Sequence, residues 1–389
     1  MSTIAALLLV VFSSCTSGDP SSSDQASFDR ESLVAAQQQL LSRFDLKPYD
    51  ASRDPLPRTP SFDELFEPIG LLEFSDSMLF NELRNVKVTN QGELIATDWD
   101  AGLGYLFRPD GSLKTQLNPA ACSPGFQGTP RNVELREDGG IVIMYGGSPL
   151  SFAFSPEGNC VGPIDVGGWN PQSITVNDGR LFGYKIGREE WTVWEMIDST
   201  KHELFSGTEF ARMNNGYLSV TGDMFALDDS TLGLIFRHSP FVFRLSLSDG
   251  SITTMGEVPV DFVETEEDIP PGAQTQDQIN DARRLIWEGK SRTWGYYRLA
   301  EDVLIVYHTN RTGEPFASSE RSLGMRVMDL QGHSLHAEHI VMKGYMTQFI
   351  AARDGLFFRL LPEYRDEEVR LQRNPPVLVY RFKPPTSTS

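Results

Sequence analysis

Cysteine is nearly missing from this chain: 3 residues in 389. That excludes a small fold framed by several disulfides. Lysine is scarce as well, with 8 against 26 arginines, and all basic residues together (34) are outnumbered by 53 acidic ones, for a net charge of −19. A surface of that sign repels phosphate backbones, which excludes general nucleic-acid binding. No stretch reaches the ~18 apolar residues of a membrane-spanning helix. There is no His-Glu-x-x-His, no Cys-x-x-Cys, no P-loop and no nucleophile elbow, so the commonest metal and nucleophile signatures are missing. What is abundant is turn chemistry beside aromatic residues: Gly 33, Pro 24 and Phe 24, in a chain that is 40% hydrophobic. Many short elements joined by turns point to an all-β fold.

The first apolar run, Ile4 to Phe12, is nine residues long. It is too short for ~30 Å of hydrocarbon but has the length of a signal-peptide core. The residues after it, Phe12-Ser13-Ser14-Cys15, resemble a bacterial lipobox. The resemblance implies that residues 1–15 are a lipoprotein signal and that Cys15 carries lipid. The protein would then be anchored to a membrane of the cell envelope, on the periplasmic side or at the outer-membrane surface. Thr16 to Gln25 (TSGDPSSSDQ) has the composition of a tether. Asp29 to Phe44 has helical spacing, with Leu33, Leu40, Leu41 and Phe44 on one side, and the Pro-rich stretch from Arg53 to Pro60 ends it. Residues 16–60 therefore read as a stalk with one short helix, holding residues 61–385 away from the membrane and leaving 386–389 as a tail.

The body repeats. Second-strand segments align at 93–99, 140–146, 180–186, 231–237, 302–308 and 355–361, and third-strand segments at 105–108, 152–155, 192–195, 242–245, 326–329 and 378–381. Tight turns follow the latter at Pro109-Asp110-Gly111, Pro156-Glu157-Gly158, Ser248-Asp249-Gly250 and Gln331-Gly332. Gly111 and Gly158 lie 47 residues apart, and Gly158 and Gly250 lie 92 apart, which is two such periods. A period in the forties with four short strands per unit predicts a six-bladed β-propeller of four-stranded antiparallel blades, with two stacked β-sandwiches as the competing arrangement. The sixth unit has only three strands. The spare strand upstream, Ile69 to Phe74, would supply its fourth and fasten the ring.

On the Cys15 lipobox, the Phe-x-x-Asp-Gly-x-Leu turn from Phe107 to Leu113, and the connection Ser123-Pro124-Gly125-Phe126-Gln127-Gly128, the chain resembles bacterial six-bladed β-propeller lipoproteins, relatives of the NHL-like propellers. The resemblance covers about residues 65–385. It implies the fold and the address, and it transfers no catalytic residue.

Antiparallel blades put the second-to-third connections and the blade-to-blade connections on one face, and the tight turns on the other. The insertion at 259–294 falls on the first face, with an acidic stretch at 264–268 and helical spacing from Gln276 to Gly289, as do the connections 309–324 and 362–376. Loops on a rigid scaffold commonly carry binding. Candidate ligand residues on that face are the first-strand polar groups Asn85, Asn132, Gln172, Tyr296 and Gln348, with Tyr217 in the fourth unit, and the second-strand ends Trp99, Tyr145, Lys185, Arg237 and His308. Aromatic rings beside charges suit a glycan, a peptide or a protein partner. The same amides could instead cap strands. The expected function is non-catalytic binding by a monomer without cofactor. The alternative is a lactonase-like hydrolase or lyase with calcium in the central channel. His333, His336 and His339 read as structural or solvated. Cys122 and Cys160, the two thiols left once Cys15 is lipidated, are expected to pair in an oxidising compartment, although one lies in a blade connection and the other just after a tight turn.

Overall fold

The computed structural model describes residues 29–384 except 54–58, 77–78, 81–82, 147, 149, 166–170, 188–189, 198–199, 209–221, 265–274, 276, 279–280, 282–289, 312–320, 337–339, 344–348 and 362–372. The signal segment with Cys15, the acidic stretch from 265 on, most of the helical segment 276–289, Tyr217, His339 and Gln348 lie outside the described residues.

Two helices open the described chain, α1 (Arg30–Leu41) and α2 (Pro60–Leu65), followed by β1 (Phe66–Leu72). Five blades then come in sequence order. Blade one holds β2 (Leu83–Val88), β3 (Leu94–Asp98), β4 (Leu103–Phe107) and β5 (Leu113–Leu117). Blade two holds β6 (Thr129–Leu135), β7 (Ile141–Gly146), β8 (Leu150–Phe154) and β9 (Cys160–Asp165). Blade three holds β10 (Ser173–Asn177), β11 (Arg180–Ile186), β12 (Trp191–Ile197) and β13 (Thr200–Gly207). Blade four holds β14 (Gly222–Asp228), β15 (Thr231–Phe236), β16 (Val242–Ser246) and β17 (Ile252–Met255). Blade five holds β18 (Ser291–Ala300), β19 (Val303–Arg311), β20 (Arg321–Asp329) and β21 (Ile340–Lys343). The last sheet is ordered β1-β24-β23-β22, with β22 (Phe349–Arg353), β23 (Leu356–Leu360) and β24 (Val377–Phe382). This is a six-bladed β-propeller of four-stranded antiparallel sheets.

The ring closes as the repeat requires, with the closing strand three residues earlier than the sequence pattern placed it. Phe66 pairs with Phe382 and Leu72 with Val377, with a bulge between Pro68 and Gly70. Each junction between neighbouring blades is filled by its own apolar cluster, since one twisted sheet cannot bury both faces alone. The largest two flank the closing blade. On the blade-five side, Phe66, Leu71, Phe357, Leu378 and Tyr380 meet Val303, Ile305 and Met325. On the blade-one side, Leu72, Phe358 and Val379 meet Val86, Leu94 and Phe107. The junction of blades two and three is the thinnest, with Val142, Met144 and Ile174 as its buried members. Tight turns fit their residues: Gly111 has φ +80, and a Cβ there would stand 2.0 Å from the Glu73 carbonyl oxygen, so glycine is required.

The described part of the segment read as a stalk packs on the propeller. Helix α1, N-capped by Asp29 on the Ser32 amide, lies against the closing blade. Leu33 joins the cluster toward blade five, and Leu40 and Phe44 join the one toward blade one. Gln37 Nε2 donates to the Gly355 carbonyl at 3.1 Å and the Phe382 carbonyl at 2.8 Å. Lys47 then bridges Leu71 through its main chain, covering part of the outer edge of β1. The apolar stripe was legible in the sequence. Its partner surface was not, because amphipathic spacing says that a face is buried and not against what.

Cys122 and Cys160 are joined in a disulfide, with Cα atoms 5.9 Å apart. Both half-buried residues pack on the blade-one/blade-two cluster. The link therefore ties two neighbouring blades at their junction, although its ends lie in a connection and at the start of an outer strand.

Candidate functional site

The innermost strands of the blades line the central channel, and their polar side chains meet there. On β6, Asn132 and Glu134 are two residues apart and share a face. Asn132 Nδ2 donates to Ser173 Oγ of β10 at 3.1 Å and to the Ile174 carbonyl at 3.4 Å. Ser173 Oγ donates to Asp223 Oδ1 of β14 at 2.6 Å. Lys87 Nζ of β2 lies 3.4 Å from Glu134 Oε1. Four blades thus contribute to one connected cluster. Tyr296 of β18 extends it, stacking on Phe225 with centroids 3.7 Å apart. Burial, and after it the charges of Glu134 and Asp223, pushes the pKa of its hydroxyl well up.

Burial raises the Glu134 carboxyl to about 7; Lys87 pulls it down and Asp223 pushes it up. Asp223 is raised by burial too, against the opposing pull of the Ser173 hydrogen bond, Lys87 and Arg237. A raised carboxyl pKa means that folding favours the neutral acid. Stability is therefore highest below the unfolded carboxylate pKa and falls as pH rises toward 7. Glu134→Gln removes this titration. The variant should gain stability relative to wild type between pH 4.5 and 8, by an amount on the order of 3 kcal/mol. Urea midpoints across that range are the check. Parallel pH profiles of the two proteins would show that Glu134 does not titrate in this way.

The mouth of the channel carries arginine–tryptophan pairs. Arg84 lies 4.4 Å from the centroid of the Trp99 ring, and Arg131 lies 5.7 Å from the same ring. Toward blade five, Arg237, just past the end of β15, lies 4.7 Å from the centroid of Trp294. Guanidinium over indole is a cation–π arrangement that also fixes the long arginine side chain. In a chain of net charge −19, these three arginines bring positive charge to the mouth.

The candidate residues divide on this geometry. Trp99, Arg237, Asn132 and Tyr296 belong to the mouth and channel. Tyr145 does not: it is 0% exposed, packed edge-on against Phe126 and Phe152 in the blade junction. His308 is 1% exposed. Its Nε2 lies 3.2 Å from Asp261 Oδ1, and Asp261 Oδ2 accepts from Asn310 at 2.6 Å. Phe262 packs its ring on His308, so these residues pin the start of the 259–294 insertion to β19. The Asn85 amide donates to Thr97 Oγ1 at 3.3 Å from a left-handed backbone (φ 48) beside a bulge. The Gln172 carbonyl oxygen accepts from the Ile186 amide at 2.8 Å. Both amides act as strand-end caps. Lys185 is half-buried at the end of β11, and its charge is felt by Lys201 on the outermost strand of the same blade. The two described histidines of the trio do not converge, since His333 pairs with Asp329 at 2.9 Å and His336 approaches Glu64 at 3.6 Å.

Lys87, Glu134, Ser173, Asp223 and Trp294 were missed. The spacing from Asn132 to Glu134 could have found Glu134. Asp223 was hidden because the fourth blade's first strand was placed at Tyr217, whereas β14 starts at Gly222.

No family model matches the chain, and no curated protein matches its sequence. Solved structures do resemble it. A protein of Bacteroides fragilis named as exported has a TM-score of 0.59 at 13% identity, over 82% of this chain and 96% of its own. A DUF4221 family member from Bacteroides vulgatus has a TM-score of 0.59 at 8% identity, over 83% of this chain and 100% of its own. A virginiamycin B lyase from Staphylococcus aureus has a TM-score of 0.46 at 11% identity, over 81% of this chain and 99% of its own. The chain shares its fold with six-bladed propeller proteins. Likeness at this identity concerns the fold alone. Among the described residues no helix is long and apolar enough to cross a membrane.

Proposed function

We propose that this chain is an exported lipoprotein, monomeric and held at the envelope through Cys15, whose propeller binds a polar organic ligand such as a glycan or a peptide at the mouth of its channel. The observation that carries this reading is the pairing of guanidinium with indole at two places around one mouth, above a channel lined by Lys87, Asn132, Glu134 and Asp223. Rigid blades hold these groups in place before any ligand arrives, which lowers the ordering cost of binding. The Bacteroides fragilis neighbour named as exported is in keeping with the address.

The test is a glycan and peptide array probed with the purified propeller, read beside fractionation of cells expressing the full chain. The reading expects hits that fall at least tenfold in Trp99→Ala with its melting temperature kept, and loss of membrane fractionation in Cys15→Ser. An array silent throughout would remove the binding function, and unchanged fractionation would remove the anchor.

A hydrolase or lyase is the second reading. It is favoured by the two channel carboxylates, Glu134 near neutral in pKa and Asp223 beside it. Calcium fits these residues poorly. The ion takes about 6–8 oxygen ligands, and among the described residues no group of three or more His, Cys, Asp or Glu gathers. Chemistry here would rest on Glu134 as acid or base.

A further inference from the structure

Arg237 is half-buried, yet it makes no side-chain hydrogen bond or ion pair among the described residues. Among the described residues its guanidinium rests on the face of Trp294, which accepts none of its five N–H donors, and feels the charge of Asp223 nearby. Trp294 is itself held, its Nε1 donating to Thr309 Oγ1 at 2.5 Å. Removing a guanidinium from water without giving it acceptors is unfavourable. Asp223 acts on Arg237 as a nearby charge, without a hydrogen bond to it among the described residues; its Oδ1 accepts from Ser173 Oγ at 2.6 Å and from the Met224 amide at 3.0 Å.

The surroundings add positive charge. Arg292 is 4% exposed. His238, next to Arg237 in sequence, is driven down to about 3 by burial and by the charges of Arg292 and Arg237, so its imidazole stays neutral. The charges of Arg237 and Lys87 are both felt at Asp223. At the rim, Arg84 and Arg131 gather on Trp99.

We infer that Arg237 seats the carboxylate of a small organic acid at the channel mouth, with Trp294 holding the guanidinium so that its fork of N–H donors faces the ligand. This rests on the polar-ligand reading above and narrows it. A planar fork matches a carboxylate in two parallel hydrogen bonds, which an ammonium cannot do. Whatever charge Glu134 and Asp223 carry in the channel opposes a dianion more than a monoanion, which favours a monocarboxylate over phosphate. The rim arginines draw anions inward against the acidic remainder of the surface.

The experiment is calorimetric titration of the purified propeller with galacturonate, butyrate and benzoate. Each is paired with its neutral counterpart, galactose, butyramide or benzamide, and inorganic phosphate serves as a further probe. At least one carboxylate should bind tenfold or more tightly than its neutral partner and than phosphate. Arg237→Gln should abolish that preference. Arg237→Lys, which keeps the charge and the fold but not the fork, should weaken it at least tenfold. Neutral members binding as well as the acids would overturn the carboxylate while leaving the polar-ligand reading intact, which the glycan and peptide array tests separately. Silence of all three carboxylates, a preference for phosphate, or full carboxylate affinity in a folded Arg237→Gln protein would also overturn it.

Discussion

A chain lacking every residue before Ser75 should aggregate and lose its cooperative melting transition. The deletion removes β1, which leaves the outer edge of β24 unpaired along the register from Val377 to Phe382. An open apolar edge recruits other chains. It also strips Phe62, Phe66 and Leu71 from the blade-five side and Leu40, Phe44 and Leu72 from the blade-one side. Phe66 alone measures the scale. It is 0% exposed, with ring centroids 4.8 Å from Phe62, 5.4 Å from Phe357 and 5.7 Å from Phe382. Phe66→Ala should cost about 3–5 kcal/mol, against a total domain stability of about 5–15 kcal/mol. Size-exclusion chromatography and thermal melting are the readouts. A truncated protein that runs as a monomer with an unchanged melting temperature would show that the terminal strand does not fasten the ring.

Reducing the disulfide, or replacing Cys160 by Ser, should lower stability by about 3–4 kcal/mol on the chain-entropy model of loop closure. The separation is 38 residues, and the loop spans the junction of two blades. Reduction should therefore loosen blades one and two against each other while each blade keeps its own hydrogen bonding. Urea midpoints of oxidised and reduced protein measure the cost, and mass spectrometry after alkylation reads the thiols directly. Alkylation of both cysteines in the non-reduced protein, or equal midpoints, would remove the link from the account of stability.

Most strands were legible because their information is local. Alternation with period two, β-branched and aromatic residues, and Asp-Gly turns act within a few residues of one another, so the segments at 140–146 and 231–237 coincide with β7 and β15 almost residue for residue. Less of the candidate site was legible. Trp99 and Arg237 drew notice as a ring or charge at a strand end. Tyr145 did so for the same reason and is instead core, because the blade junction needs a large ring between Phe126 and Phe152.

The sequence by itself determined the number of blades, the antiparallel pairing within each, and the strand that completes the sixth. A sheet with two apolar faces has to be covered on both, and a three-stranded last unit needs its fourth strand from elsewhere. Only the tertiary structure decided the contents of the channel and mouth. Lys87 meets Glu134 across 47 residues, and Ser173 meets Asp223 across 50. Arg237 rests on Trp294 of the next blade. Such meetings depend on the rotation from one blade to the next and on the length of each connection, which no local pattern encodes. For the same reason the partner surface of the N-terminal helix, amphipathic in sequence, is visible only in the closed ring.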